Sequence, residues 1–387
     1  MRLLFISSFY LFPGTRFGGA KRLHYFAREW ERMAELSVIC MDGCREWDGG
    51  AAGDAGFGDF LMLPNRSEPA GWARIADAPS DRSRALAADA GRIREFLRDK
   101  RFDAVLLAYP WALTFAGPLL AGVDAPIHFM DDDLILEQFR SGAAAGAGPW
   151  RRLGKAIRYR QTLAFYRARL AGAAAFIGIS PQEAAVMRGL FPALRCEVMK
   201  YALPLSDFPR LPETAGNVVG FIGNFGHVPN LDSLAWLQDE VMPALRAHRP
   251  DVRFLFAGRG LPAALRERLR SEPGLEWRED VADLASFYAD ISLLVNPART
   301  GRGLRTKALE AAAFGRPVVT TSLGAEGLED LDLAVADDAE GLADACARLL
   351  ADPGDSANRN RKMVEAKYAV EKVAADFLAL LAGGRAG

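Results

Sequence analysis

The sequence has little of what marks several common classes of protein. Its four cysteines form no CxxC pair and have no cluster of histidines beside them, so we expect reduced thiols and neither a disulfide framework nor a zinc site. No apolar run approaches the roughly 20 residues that cross a bilayer. The opening stretch "MRLLFISSFYLFPG" has a shorter run and no convincing cleavage site, so it predicts a first buried strand in a cytoplasmic protein.

An excess of charge of one sign is also missing. The 48 Lys and Arg residues are balanced by 49 Asp and Glu residues, a net charge of −1, and we expect no nucleic-acid partner. One local exception is the segment 151–172, which has seven basic residues and no acid. It is consistent with peripheral contact with an anionic membrane, at the inner face of the cytoplasmic membrane, or with an ordinary solvated helix face.

Two common phosphate-binding motifs are absent. The stretch "GRGLRT" lacks the third glycine of a dinucleotide fingerprint, and "GTRFGGAKR", after the first predicted strand, has the wrong spacing. A GxxxxGK[ST] loop does not occur. These absences disfavour a Rossmann dinucleotide site and a Walker phosphate-binding loop.

What the sequence does have is a regular alternation of apolar runs and helical stretches. Continuous apolar runs of this length are typical of parallel strands covered by helices on both faces. A proline-rich stretch interrupts the alternation at 206–216 and predicts a linker. We therefore predict an α/β chain of two tandem Rossmann-like domains, each doubly wound. The domains are 1–205, joined by a returning helix at about 368–387, and 217–367.

The stretch "TGRGLRTKALEAAAFGRPVVTT", residues 300–321, is the strongest local signal. Gly301 and Gly303 permit close backbone approach, and a helix is predicted from about Leu304. A helix start offers unpaired N–H groups to an anion. Lys307 and Glu310 lie three apart and share a face, which suits a phosphate and a sugar hydroxyl. A glycine-assisted turn with solvated basic residues explains the same stretch, and both interpretations remain open.

Four consecutive blocks between residues 217 and 350 resemble one known family. They are "VGFIGNFGHVPNLDSLAWLQDEVMPAL", "VRFLFAGRG", "DVADLASFYADISLLVNP" and "GRGLRTKALEAAAFGRPVVTTSLGAEGL". In this order they resemble the donor half of glycosyltransferases of the GT-B fold, family 4 above all (glycosyl transferases group 1). The resemblance implies two parallel sheets that face a central cleft.

The resemblance also implies a role for particular residues. Glu310 would accept hydrogen bonds from the nucleotide ribose, Lys307 would neutralise phosphate charge, and the backbone of Val281 would contact the base. The remaining donor-site residues implied are Gly18 and Gly19 of the first domain, and Gly223, Asn224, Arg259, Gly301, Gly303, Leu304 and Arg305. Many members carry two glutamates with seven residues between them. Glu310 corresponds to the second, and Arg302 holds the position of the first.

The acceptor side is expected at "PIHFMDDDL", which ends a strand of the first domain. Family members often have a histidine near this point, whereas this chain has Asp131, Asp132 and Asp133. We take Asp131 and Asp132, with Lys307, as the catalytic candidates. The alternative is a simple helix cap before "LILEQF".

The function implied is transfer of a sugar from a nucleotide-diphospho-sugar to a glycan, lipid-linked or other acceptor. The resemblance implies retention of configuration, no cofactor and no metal, with a place in surface polysaccharide or glycoconjugate assembly. Two alternatives stay open. One is a nucleotide-sugar 2-epimerase of similar fold. The other is a non-catalytic nucleotide-sugar or glycan-binding protein, an alternative that stays open because Arg302 replaces a glutamate of the family.

Overall fold

The computed structural model describes residues 1–11, 18–41, 56–63, 89–117, 119–131, 134, 136, 149–214, 216–281, 283–301 and 306–383. The chain divides into two compact units, Met1–Lys200 with Val370–Gly387, and Tyr201–Ala369. Residues 206–214, which the sequence assigns to a linker, lie within the second unit. Their backbone is tied there because the Arg361 guanidinium donates to the Phe208 carbonyl at 2.5 Å. No helix within these ranges has both the length and the apolar character to cross a membrane.

The first unit is built on a seven-stranded sheet in the order β3-β2-β1-β4-β5-β6-β7, with every pairing parallel. Its strands are β1 (Arg2–Ser7), β2 (Glu35–Met41), β3 (Phe60–Leu63), β4 (Ala104–Ala108), β5 (Ile127–Met130), β6 (Ala175–Gly178) and β7 (Cys196–Val198). Its helices are Gly18–Met33, Pro149–Leu170, Pro181–Leu190 and Val370–Ala382, and residues 89–97 are also helical.

The last helix, Val370–Ala382, packs on the first, Gly18–Met33, inside this unit. The Trp30 indole N–H donates to the Ala374 carbonyl at 3.2 Å, and its ring lies 5.0 Å from that of Phe377. Trp30 also stacks on Phe26 at 5.3 Å. Burial of these aromatic rings joins the end of the chain to its beginning.

The second unit is built on a six-stranded parallel sheet in the order β10-β9-β8-β11-β12-β13. Its strands are β8 (Val218–Asn224), β9 (Arg253–Arg259), β10 (Leu275–Glu279), β11 (Leu293–Asn296), β12 (Val318–Thr320) and β13 (Ala334–Val335). Its helices are Val228–Trp236, Met242–His248, Ala263–Ser271, Leu284–Ala289, Thr306–Ala313, Ser322–Ala325, Ala339–Ala351 and Ser356–Lys367. A π-helical segment, Leu237–Val241, joins the first two of these.

Both faces of this second sheet are buried, as its continuous apolar strands predict. In β9, Phe254 and Phe256 belong to one hydrophobic core, and Leu255 and Ala257 belong to another. Side chains alternate between the two faces of a strand, so each residue set packs under a different helical layer.

A buried histidine in the first unit has a pKa that makes the stability of this unit depend on pH. His128 in β5 is fully buried, and among the described residues neither ring nitrogen has a hydrogen-bond partner. Burial, with a smaller effect from the charge of Arg195, lowers the pKa of His128 to about 4. The folded imidazole is therefore neutral at pH values where an unfolded histidine, with a pKa near 6.5, is already protonated.

We expect this histidine to cost stability as the pH falls from about 6.5 to 4. In that window the unfolded chain binds a proton that the folded chain does not, which favours unfolding by about 3 kcal/mol at pH 4. The variant His128→Leu should lose this part of the pH dependence. Urea unfolding of both proteins at pH 7 and pH 5 measures the difference, and identical pH dependences would contradict the prediction.

Candidate functional site

In the second sheet, the direction in which the chain adds strands reverses between β8 and β11, and we call this point the strand switch. From β8 the chain proceeds outward to β9 and β10, and then crosses to β11 on the other side of β8. In parallel α/β sheets the crevice outside the carboxyl ends of two such strands is the usual ligand site. The loops after β8 and β11 therefore define the candidate site of this unit.

Lys307 joins these two loops. It lies in the first turn of the helix Thr306–Ala313, which follows β11, and its Nζ donates to Asn230 Oδ1 at 2.7 Å. Asn230 lies in the helix that follows β8, and its own amide donates to the carbonyl of Asn224, the last residue of β8, at 2.6 Å. The ammonium also lies 5.3 Å from the ring centroid of Phe221. These contacts fix a cation at the switch point.

Two glycines make this close approach possible. A Cβ on Gly223 would lie 3.3 Å from Asn230 Cγ, which would have to shift slightly, and 3.4 Å from Lys307 Nζ, which is van der Waals contact. Gly223 pairs in register with Gly258 of β9, where a Cβ would lie 1.9 Å from the Gly223 carbonyl oxygen. Gly258 has a φ of +152°, which side-chain-bearing residues rarely adopt. Gly258 therefore has no room for a side chain, and Gly223 leaves little.

Glu310 lies one turn after Lys307 on the same helix and is half-buried. Tyr288 is fully buried beside this turn, and its hydroxyl donates to the Lys307 carbonyl at 3.3 Å. Burial first, and then the nearby charge of Glu310, raise the pKa of Tyr288 well above its ordinary value. Tyr288 thus remains a neutral donor that holds the turn bearing Lys307 and Glu310.

The other predicted donor residues of this unit lie along the same sheet edge. Asn224 and Arg259 are paired in register at the ends of β8 and β9, and Arg259 is exposed. In the described part of the chain its guanidinium makes no hydrogen bond or ion pair. Val281 follows the end of β10 and is half-buried, and Gly301 follows β11 with a φ of +98°.

Several predicted residues lie outside the described ranges. They are Asp132, Gly303, Leu304 and Arg305, together with Arg302 and Asp133. The roles implied for them stay predictions.

The carboxyl edge of the first sheet holds the predicted acceptor residue Asp131. It follows β5 directly, is 1% exposed, and accepts a hydrogen bond of 3.4 Å from the Tyr166 hydroxyl. Tyr109 directly follows the adjacent strand β4, and its φ of +67° and ψ of 160° are strained for a residue with a side chain. Its N–H donates to the Met130 carbonyl at 2.9 Å, which ties the ends of β4 and β5 together.

The predicted glycine pair of the first unit, Gly18 and Gly19, forms the start of the helix Gly18–Met33. This helix follows β1, so its start is connected to the carboxyl edge of the first sheet. The contact of these glycines with a donor phosphate stays a prediction.

Sequence reasoning did not assign Asn230 or Tyr288 to the site. Asn230 is 77 residues from Lys307 in the chain, and Tyr288 is 19 residues from it. A signal for Asn230 was its place next to Pro229, at the start of the helix that follows β8, because a polar residue there faces the carboxyl edge of a parallel sheet. Nothing local marks Tyr288 among the other buried aromatic residues.

Comparison with known proteins shows a family similarity over most of the second unit. Residues 216–352 match the family model of the glycosyl transferases group 1. A curated protein of Klebsiella pneumoniae, described as an uncharacterized 44.6 kDa protein in the cps region, is 29% identical over 114 residues. That match covers 28% of this chain and spans 29% of the length of the relative.

Solved structures resemble the chain over nearly its whole length. Anabaena HepE in complex with UDP and glucose matches with a TM-score of 0.64 at 15% identity, over 98% of this chain and 99% of HepE. Sucrose-phosphate synthase from Thermosynechococcus elongatus matches with a TM-score of 0.69 at 17% identity, over 98% of each chain. A S. aureus TarM variant, solved with fondaparinux, alpha-GlcNAc-glycerol and UDP, matches at 0.63 and 10% identity, over 98% of this chain and all of TarM.

The predicted fold class is confirmed by two parallel sheets, each covered by helices, and by these structural neighbours. The predicted family resemblance is confirmed for the group, by the match to the second unit. Residues 216–352 therefore resemble the glycosyl transferases group 1, and the chain as a whole has the GT-B fold.

Proposed function

We propose that this protein transfers a sugar from a nucleotide-diphospho-sugar to an acceptor hydroxyl. The observation that carries the proposal is the Lys307 ammonium, held 2.7 Å from Asn230 at the strand switch of a glycosyl transferases group 1 domain. A nucleoside diphosphate is the leaving group of such a reaction, and a fixed cation at the carboxyl edge of a parallel sheet suits its charge.

The donor would lie along the carboxyl edge of the second sheet. Lys307 and the exposed Arg259 would contact the diphosphate, while Gly223 leaves room for the backbone of β8 to approach it. Glu310 would accept hydrogen bonds from the ribose hydroxyls, and the backbone at Val281 would contact the base. Because HepE and the TarM variant were solved with UDP, uracil is the base to test first.

These residues must stabilise the negative charge that develops on the diphosphate when the glycosidic bond to it breaks. The C1–O bond of the sugar breaks, and its electron pair passes to the β-phosphate oxygen. The acceptor oxygen forms the new bond to C1, and its proton passes to the departing phosphate. Negative charge grows on the diphosphate as this happens. Cations already in place stabilise that charge more in the transition state than in the bound donor, which lowers the barrier.

For the acceptor we propose a glycan or lipid-linked hydroxyl compound that binds at the carboxyl edge of the first sheet. Asp131 is buried there against Tyr166, so its role is to position neighbouring groups more than to meet the acceptor directly. Asp132 stays the predicted residue for acceptor contact. The TarM variant, which holds a glycan and a glycerol glycoside, supports an acceptor of this class.

We further propose that the transfer retains the anomeric configuration and needs no divalent cation. Lys307 and Arg259 supply the positive charge that a metal would otherwise give the diphosphate. Turnover should therefore persist unchanged in EDTA, and NMR of the first product should show the anomer of the donor. A complete loss in EDTA that Mg²⁺ or Mn²⁺ restores would contradict metal independence.

The pathway we propose is assembly of a surface polysaccharide or related glycoconjugate in the cytoplasm. The support is the Klebsiella pneumoniae relative, whose description places it in a cps region.

Glu310→Gln is expected to raise the KM for the nucleotide sugar about tenfold, with kcat within about threefold of the original value. The substitution keeps the shape of the side chain but replaces charge-assisted hydrogen bonds to the ribose with neutral ones, which are weaker by about 1–2 kcal/mol. Initial rates over a range of donor concentrations measure both constants. Glu240→Gln, at an exposed residue of the same unit, is the matched control, and an unchanged KM for Glu310→Gln would rule out the ribose contact.

A panel of nucleotide sugars separates the proposed activity from its rivals. The intact protein is incubated with each donor, with and without acceptors, while nucleotide release is measured together with thermal stability. Release that depends on acceptor supports transfer. Conversion of the donor sugar without release would instead show an epimerase, and stabilisation without turnover a binding protein.

A further inference from the structure

The helix Pro149–Leu170 of the first unit carries a stripe of apolar side chains that face solvent. Trp150 is 83% exposed, Leu153 51% and Ile157 47%. Their spacing of three and then four residues places them on one face of the helix. We call these three residues the apolar stripe. An exposed row of large apolar side chains marks a surface that is covered in use.

The other end of the helix is anchored in the core of the same unit. Tyr166 and Leu170 are buried in it, and Leu163 packs against it. The Arg169 guanidinium donates to the Ala116 carbonyl in addition. The anchored end holds the helix in place, while the stripe lies beyond these contacts.

The charge of the helix indicates what covers the stripe. The helix has seven Lys and Arg residues and no acid. Arg152 and Arg160 are exposed in the same half of the helix as the apolar stripe, and Arg160, three residues after Ile157, lies on the side of the stripe. A second copy of this chain docked stripe to stripe would bring two such helices together with no acid on either to offset the repulsion. A surface of anionic lipid meets both features, because its phosphates attract arginine and its interface accepts tryptophan and aliphatic side chains.

We propose that this helix docks the first unit on an anionic membrane surface. The apolar stripe enters the boundary between headgroups and acyl chains, Arg160 contacts lipid phosphates, and the charge of Arg152 adds to the attraction. The inference stands on the first unit alone and goes beyond the proposed sugar transfer. Together with that transfer, it favours a lipid-linked acceptor, whose reactive end would be presented at the same surface.

Flotation of the intact protein with vesicles tests the proposal. We expect binding to vesicles of phosphatidylcholine with phosphatidylglycerol, weak binding to phosphatidylcholine alone, and release as salt is raised. Replacing Trp150, Leu153 and Ile157 together by glutamine should lower the affinity for the mixed vesicles at least about tenfold. The pair Arg152→Gln and Arg160→Gln should lower it to a similar degree.

Matched controls come from the same unit. Met33→Gln with Val198→Gln changes two other exposed apolar residues, and Arg94→Gln with Arg98→Gln removes the same charge elsewhere. Both controls should bind the mixed vesicles like the original protein. The proposal is overturned by absence of binding to mixed vesicles, or by stripe variants that bind undiminished. It is also overturned if the original protein is a dimer in solution and the stripe variants are monomers, because the stripe would then be covered by a second copy of the chain.

Measuring UDP binding by the same variants distinguishes failure of the docking surface from failure of the proposed function. The stripe variants should bind UDP as the original protein does, since the stripe belongs to the first unit and the donor residues tested belong to the second. Loss of vesicle binding with intact UDP binding supports the docking surface. A protein that binds vesicles through the stripe but binds no nucleoside diphosphate would leave the docking surface standing and remove the proposed donor site.

Discussion

Lys307→Ala should reduce kcat/KM for the nucleotide sugar about 100- to 1,000-fold, which is the loss expected when one group that stabilises developing charge is removed. The variant lacks the cation at the strand switch, and it removes the partner of the Asn230 amide oxygen. The measurement is acceptor-dependent release of nucleoside diphosphate.

Lys362→Ala is the control for this prediction, since Lys362 is an exposed lysine of the same unit. It should match the original protein in rate. Circular dichroism should show both variants folded. If Lys307→Ala turns over within threefold of the original protein, the ammonium has no part in stabilising the leaving group.

Gly258→Ala should destabilise the second unit by about 4 kcal/mol or more, at the upper end of what single substitutions do. The new methyl group would lie 1.9 Å from the Gly223 carbonyl oxygen and 2.7 Å from the Phe225 ring, at a φ of +152°. Because β8 and β9 pair in register at this point, the clash separates the strand ends that carry Asn224 and Arg259. Urea unfolding monitored by circular dichroism measures the loss.

Gly189→Ala is the control for the glycine effect. Gly189 lies in the helix Pro181–Leu190, and a Cβ there meets no atom within 4 Å, so alanine should leave stability unchanged or raise it slightly. Expression of Gly258→Ala as inclusion bodies alone, with Gly189→Ala soluble, would agree with the prediction. Equal unfolding midpoints for Gly258→Ala and the original protein would show that the strand ends relax without cost.

The sequence predicts the strands because their apolar runs demand burial on two faces. The structure shows the physical basis in β11, where Leu293 and Val295 pack into one core and Leu294 into the other. Local pattern also predicts Lys307 and Glu310 on one helical face, since their separation of three residues is a property of the helix itself. These inferences need only near neighbours in the chain.

Contacts between distant residues lie beyond such reasoning. The partnership of Lys307 with Asn230 depends on how β8 and β11 lie side by side, which no local pattern specifies. The same holds for the predicted linker, where the Arg316 guanidinium donates to the Pro212 carbonyl at 2.8 Å across 104 residues. Gly258 looks like an ordinary strand glycine until the register with Gly223 shows why no side chain fits.

Crystals of the intact protein soaked with UDP, and in parallel with GDP and ADP, show directly whether a nucleoside diphosphate binds at the strand switch. We expect the diphosphate of one of these nucleotides at the carboxyl ends of β8 and β11, with a phosphate oxygen in hydrogen-bond distance of Lys307 Nζ and the ribose beside Glu310. A nucleotide bound elsewhere on the chain, or crystals that take up none of the three, would contradict it.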